Sequence, residues 1–100
     1  MRLGRVVGTA VSTIKVGTLT GHKLLLVADM ESAAPQQGAG SGRVYVAIDR
    51  AGAGEGDIVL VAFGTAARIG EGVSGVPTDA SVVGIIDSLT VEGRTTFAKQ

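Results

Sequence analysis

An all-β fold, a small closed barrel carrying one short helical turn, is what this 100-residue sequence predicts. Three observations point there. Short segments rich in Val, Ile, Leu and Thr recur along the chain, each bounded by glycine or proline. The longest unbroken one, IVLVAF at 58–63, lies between a glycine-rich turn and Gly64 and is too short for a helix. Five or six such strands in one chain favour closure, because a closed sheet has no exposed edges.

The first strand covers 3–12, where Val6, Val7, Thr9 and Val11 favour extended backbone and Gly4 and Gly8 mark bends or close approach. Residues 13–22 connect it to the next through turn glycines Gly17 and Gly21. KLLLVA at 23–28 is a second strand, apolar on both faces, and 43–48 is a short third. Between them, ESAAPQQGAGSG at 31–42 has the composition of a flexible loop with almost nothing to bury.

The centre of the chain, AGAGEGDIVLVAFGTAAR at 51–68, combines a tight turn (Gly52, Gly54, Gly56), a strand buried on both faces, and a brief helical corner. Glycine at three alternate positions admits positive φ or close backbone approach. Thr65 is placed to cap the corner helix. A second loop covers 70–79. Then SVVGIIDSLTV at 81–91 reads as one last long strand bent at Gly84, and Glu92-Gly93 as a two-residue turn returning through 94–97, a candidate C-terminal hairpin. The expected organisation is one barrel domain over 1–91 and a tail over 92–100.

Composition narrows function. Nine basic and nine acidic side chains cancel and the pI is about 6.5. Such a chain has no electrostatic pull toward nucleic acid or an anionic membrane, so neither is expected as a partner. The absence of cysteine rules out disulfides, thiolate nucleophiles and zinc–cysteine sites. No stretch approaches the ~20 apolar residues needed to cross a bilayer, and MRLGRVVGTAV lacks the apolar core of a signal peptide. Yet 45% of residues are hydrophobic, 18% are charged and mean hydropathy is +0.39. That surplus of apolar surface on so small a domain predicts burial against identical subunits.

Motifs for chemistry are few. His22 is the only histidine and follows a turn glycine, as a solvated loop side chain would. Asp49, Asp57 and Asp87 fall at strand ends, with nothing to mark two of them as a converging acid–base pair. No G-x-S-x-G elbow accompanies His22. The glycines of 52–56 precede a strand and lack a following Lys-Ser/Thr, while Glu55 and Asp57 would repel phosphate. Gly38 to Gly42 fails the same context test. No catalytic, cofactor-binding or metal-binding residue is therefore expected, and Gly52, Gly54 and Gly56 are expected to be a structural turn. A barrel of this size could instead bind single-stranded nucleic acid or another ligand. Such modules need aromatic platforms beside a positive groove, and this chain offers only Tyr45, Phe63 and Phe97.

Three stretches carry a resemblance. GRVVGTAVSTIK at 4–15 with LTGHKLL at 19–25, GAGEGDIVLV at 52–61 with GTAAR at 64–68, and PTDASVVGIID at 77–87 occur in the order and spacing of the bacterial microcompartment vertex proteins. This is the ethanolamine-utilisation and carboxysome (EutN/CcmL) family. The resemblance covers roughly 1–89; the loop 31–42 and the tail beyond Thr90 depart from the pattern.

The resemblance implies a five-stranded barrel of oligonucleotide-fold type, assembled as a homopentamer that caps the vertices of a polyhedral protein shell in the bacterial cytoplasm. It also implies hexameric shell proteins as partners. On that footing Gly64, Thr65, Ala66 and Ala67 are expected at or near the subunit interface or five-fold axis. Arg68 is expected to pair with the adjacent chain.

Overall fold

The strand at Ile58–Phe63 lies where expected, and both of its neighbours run antiparallel to it. In the computed structural model, residues 1–11, 13, 17, 21–30, 43–70 and 78–99 are described. The loop expected over 31–42, most of the connection 13–22 and residues 71–77 of the second loop lie outside the described residues.

In chain order the strands are β1 (Arg2–Ala10), β2 (Leu24–Asp29), β3 (Val44–Asp49), β4 (Ile58–Phe63), β5 (Ala80–Ile85), β6 (Ser88–Val91) and β7 (Arg94–Ala98), with a 3-10 helix at Gly64–Arg68. The first five close into a barrel in the order β1-β2-β3-β5-β4, β4 returning to β1. This is a Greek-key closure of the oligonucleotide-fold type. All pairings are antiparallel except β3 with β5.

Alternation along each strand fills the interior. Val6, Leu25, Val27, Ala47, Val59, Val61, Ala80 and Val82 form the core with Ala53 from the turn before β4. β4 is buried on both faces, as its unbroken apolar run predicts, since Ile58 and Ala62 on its other side are covered too.

Two glycines have packing reasons. Gly4 sits where an added Cβ would run into Val27 Cγ1 and lie 3.3 Å from the Tyr45 hydroxyl. Gly8 follows a bulge in β1, where Val6 opposes Val27 and Gly8 opposes Leu26, leaving Val7 unpaired in register. A second bulge precedes Gly84, where Leu60 opposes Gly84 and Val61 opposes Val82.

The strand expected over 81–91 is two strands. β5 ends at Ile85; the Ile86 N–H bonds the Ile58 carbonyl, and the Asp87 carbonyl accepts from Lys99. The chain then leaves the barrel as β6, which among the described residues pairs only with β7. The run of apolar residues hides this exit because Ile86 still bonds β4 through its backbone while Ser88 pairs with β7. The expected turn is present, with Glu92 at φ 52° and Gly93 at φ 77°, the left-handed pair that a two-residue hairpin requires.

Candidate assembly surface

The corner after β4 begins where Gly64 takes φ 63° and turns the chain off the strand. Its N–H donates to the Asp79 carbonyl at 2.9 Å. Gly64–Arg68, five residues counting Gly64 itself, make a 3-10 helix, the tighter geometry usual for so short a piece. Thr65 does not cap it: the residue preceding the helix is Phe63 and no side-chain cap bond forms, because the helix starts at Gly64 and Thr65 is already inside it.

Three of these small residues, Gly64, Thr65 and Ala66, are exposed, while Ala67 is fully buried. The Ala67 carbonyl accepts from the buried Ser81 hydroxyl at 2.6 Å. Arg68 Nη1 donates to the Thr78 carbonyl at 2.7 Å, so within the protomer this guanidinium already braces the approach to β5 rather than standing solvated. Thr78 in turn bonds Ala80 through its hydroxyl. The corner is thus a small, pinned platform whose outer face carries no bulky side chain.

The glycine turn before β4 is organised by carboxylates. Asp49 Oδ1 accepts from the N–H groups of Ala51, Gly52 and Ala53 at 3.0, 3.0 and 3.3 Å, and Asp57 Oδ2 accepts from Gly54 at 2.8 Å. Gly56 bonds the Val6 carbonyl. Positive φ is needed at Gly52 (77°) and Gly56 (93°) but not at Gly54. A phosphate would have to displace two carboxylates from these amides. The signal for the turn was the Asp-x-Ala/Gly spacing of an Asx turn.

Lys23 Nζ closes the turn from the other side, 3.1 Å from the Ala53 carbonyl and 3.9 Å from Asp49. Asp57 also faces Lys99 at 3.5 Å, tying the hairpin base to the barrel, and Asp87 is exposed. Asp49 and Asp57 therefore hold successive amides of one turn, while Asp87 joins the hairpin base through its backbone carbonyl. His22 is half-buried just before β2. Among the described residues no group of three His, Cys, Asp or Glu is placed to hold a metal.

Two of the three aromatic residues meet at the end of the barrel where β4 finishes. Tyr45 and Phe63 pack with ring centroids 5.3 Å apart, tilted by 58°, and Arg2 covers Phe63 at 5.0 Å while reaching Asp29 at 3.3 Å. The Tyr45 hydroxyl and Asp29 Oδ1 are buried without a hydrogen-bond partner among the described residues. Burial pushes the Tyr45 hydroxyl up to about 12; the Asp29 carboxylate adds to this and Arg2 opposes it.

The family described as ethanolamine utilisation protein EutN/carboxysome matches residues 1–87. The chain belongs to this family. Its relatives include the carboxysome shell vertex protein CcmL of Synechocystis sp., 45% identical over 100% of this chain and 96% of the relative. Among solved family structures, one titled carboxysome subunit, CcmL superposes with a TM-score of 0.88 at 45% identity, covering all of both chains. The pentameric microcompartment shell protein GrpN of Rhodospirillum rubrum superposes with a TM-score of 0.74 at 42% identity, covering 91% of this chain and 98% of GrpN.

Proposed function

We propose that this chain is a structural vertex protein: a homopentamer that closes the corners of a polyhedral protein shell in the bacterial cytoplasm. The observation that carries the reading is the match, across nearly the whole of both chains, to a relative solved as a pentameric shell protein. Full-length likeness to CcmL, a carboxysome shell vertex protein, supports it further.

The physics of the role is geometric. Hexagonal tiles pave a flat sheet, and pentagonal tiles are needed to close it. A cyclic pentamer is built from heterologous contacts, one patch meeting a different patch on the next copy until the ring closes. The small, pinned platform at Gly64 to Ala66 suits close approach between copies, and the apolar surplus of the chain suits a buried interface. The tile itself performs no chemistry; hexameric shell proteins are its partners through the pentamer's rim.

The nucleic-acid reading finds less support. Tyr45 and Phe63, two of the three aromatic rings, pack against each other, with Arg2 laid over Phe63, so they form no open stacking platform. Native mass spectrometry of the purified chain tests the pentamer: a five-chain species is expected, and a clean monomer or dimer would overturn the reading.

A further inference from the structure

Strand β3 is paired along its whole length by β2 but meets β5 only at Ile48 and Asp49. The Arg43 carbonyl and the Asp49 N–H both bond toward β2. In an antiparallel pair, alternate residues point their backbone groups to opposite sides. Residues 43, 45, 47 and 49 therefore serve β2, and Val44, Val46 and Ile48 point the other way. Ile48 meets Ser81 there. Val44 and Val46 present two N–H and two C=O groups that no described residue pairs, and the two residues are 53% and 47% exposed. An open apolar edge of this kind is a template for another strand.

The hairpin is the second unfinished element. A lone two-stranded ribbon is marginal in water. Leu89 lies opposite Phe97 and Val91 opposite Arg94, so Leu89, Val91 and Phe97 share one face, with Val91 44% exposed. The hairpin leaves the barrel where β4 begins, tied by Lys99 to Asp57 and Asp87. The open half of β3 lies at the opposite end, beside the end of β4 at Phe63. One protomer's hairpin does not reach its own open edge, but a neighbour's can. A ring demands two different complementary patches on each copy, and these are two. Glu92 at the hairpin tip and Arg43 beside Val44 are both exposed and carry opposite charge.

We infer that, in the ring, the β6–β7 hairpin of each protomer lies along the Val44 and Val46 edge of the next. Its backbone pairs with those groups, and its Leu89, Val91 and Phe97 face continues the apolar surface that their side chains begin. This rests on the pentamer reading.

The chain has no cysteine, so thiol chemistry is clean. Val44→Cys with Val91→Cys, treated with a short bis-maleimide, should give a denaturation-resistant ladder up to five chains, and neither single variant should. Five-chain species by native mass without a ladder would overturn the hairpin contact and leave the pentamer standing. If the unsubstituted chain shows no five-chain species, the pentamer itself fails and the contact with it. Hydrogen exchange on the unsubstituted pentamer provides a check free of variants. The Val44 and Val46 amides should exchange slower than unpaired amides by about two orders of magnitude or more. Fast exchange at both would overturn the inference.

Discussion

The buried hydroxyl of Ser81 on β5 donates to the carbonyl of Ala67, the one buried residue of the corner helix, at 2.6 Å. This bond fastens the corner to the barrel. Ser81→Ala leaves the Ala67 carbonyl buried and unmatched, so the protomer should lose about 1–2 kcal/mol, read as a shift of the denaturation midpoint. Ser81→Thr keeps the donor but adds a methyl group to a closed site, and should not restore full stability.

Gly4→Ala should also destabilise, by about 1–3 kcal/mol, because the new methyl meets Val27 and crowds the Tyr45 hydroxyl. Adding Val27→Ala makes room, so the double variant should lose less than the two single losses summed. Thermal or chemical denaturation of the four proteins measures the coupling.

Tyr45 sets an alkaline limit. It is the only tyrosine and the chain has no tryptophan, so ultraviolet titration reports it alone. Burial pushes its folded-state pKa up to about 12, above the ordinary tyrosine value of 10.0. Below pH 10 both folded and unfolded chains hold the proton. Between pH 10 and 12 the unfolded chain releases it while the folded chain keeps it, so stability falls as pH rises through that window. Tyr45→Phe should flatten the alkaline loss. At neutral pH it should cost little, because it deletes a buried hydroxyl that has no partner among the described residues.

The exposed face of the corner separates assembly from folding. Ala66 is exposed in the protomer, so Ala66→Trp should leave the barrel's melting temperature nearly unchanged. If the corner lies at the subunit interface, as proposed, five-chain species should be lost. Arg68→Ala removes the bond to Thr78 and should cost the protomer about 1 kcal/mol. Unchanged, equally stable pentamers in both variants would remove the corner from the interface.

Much of the barrel was legible because its determinants are local. The apolar run of β4, bracketed by glycines, appears at the residues read from the sequence. Likewise, the Glu92-Gly93 turn announces the hairpin. What escaped depends on contacts distant in the chain. Nothing around Ile86 distinguishes a continuing strand from one that bonds Ile58 once and departs. Thr65 reads as a cap until Gly64 is seen to take the helical turn itself. The open half of β3 exists only because β5 pairs with its last two residues, a register no local pattern of Val44 to Asp49 encodes. The carboxylate-held turn is half visible: Asp49 and Asp57 fall at strand ends in the sequence, but their grip on four backbone amides depends on the three-dimensional arrangement.

The most direct test of the vertex role is electron microscopy of shells made by co-expressing this chain's cognate hexameric shell proteins with and without it. With the chain present, closed faceted particles with density at their five-fold corners are expected. Without it, the corners should be empty, or sheets and tubes should replace closed particles. Indistinguishable preparations, with no corner density that depends on this chain, would contradict the vertex role.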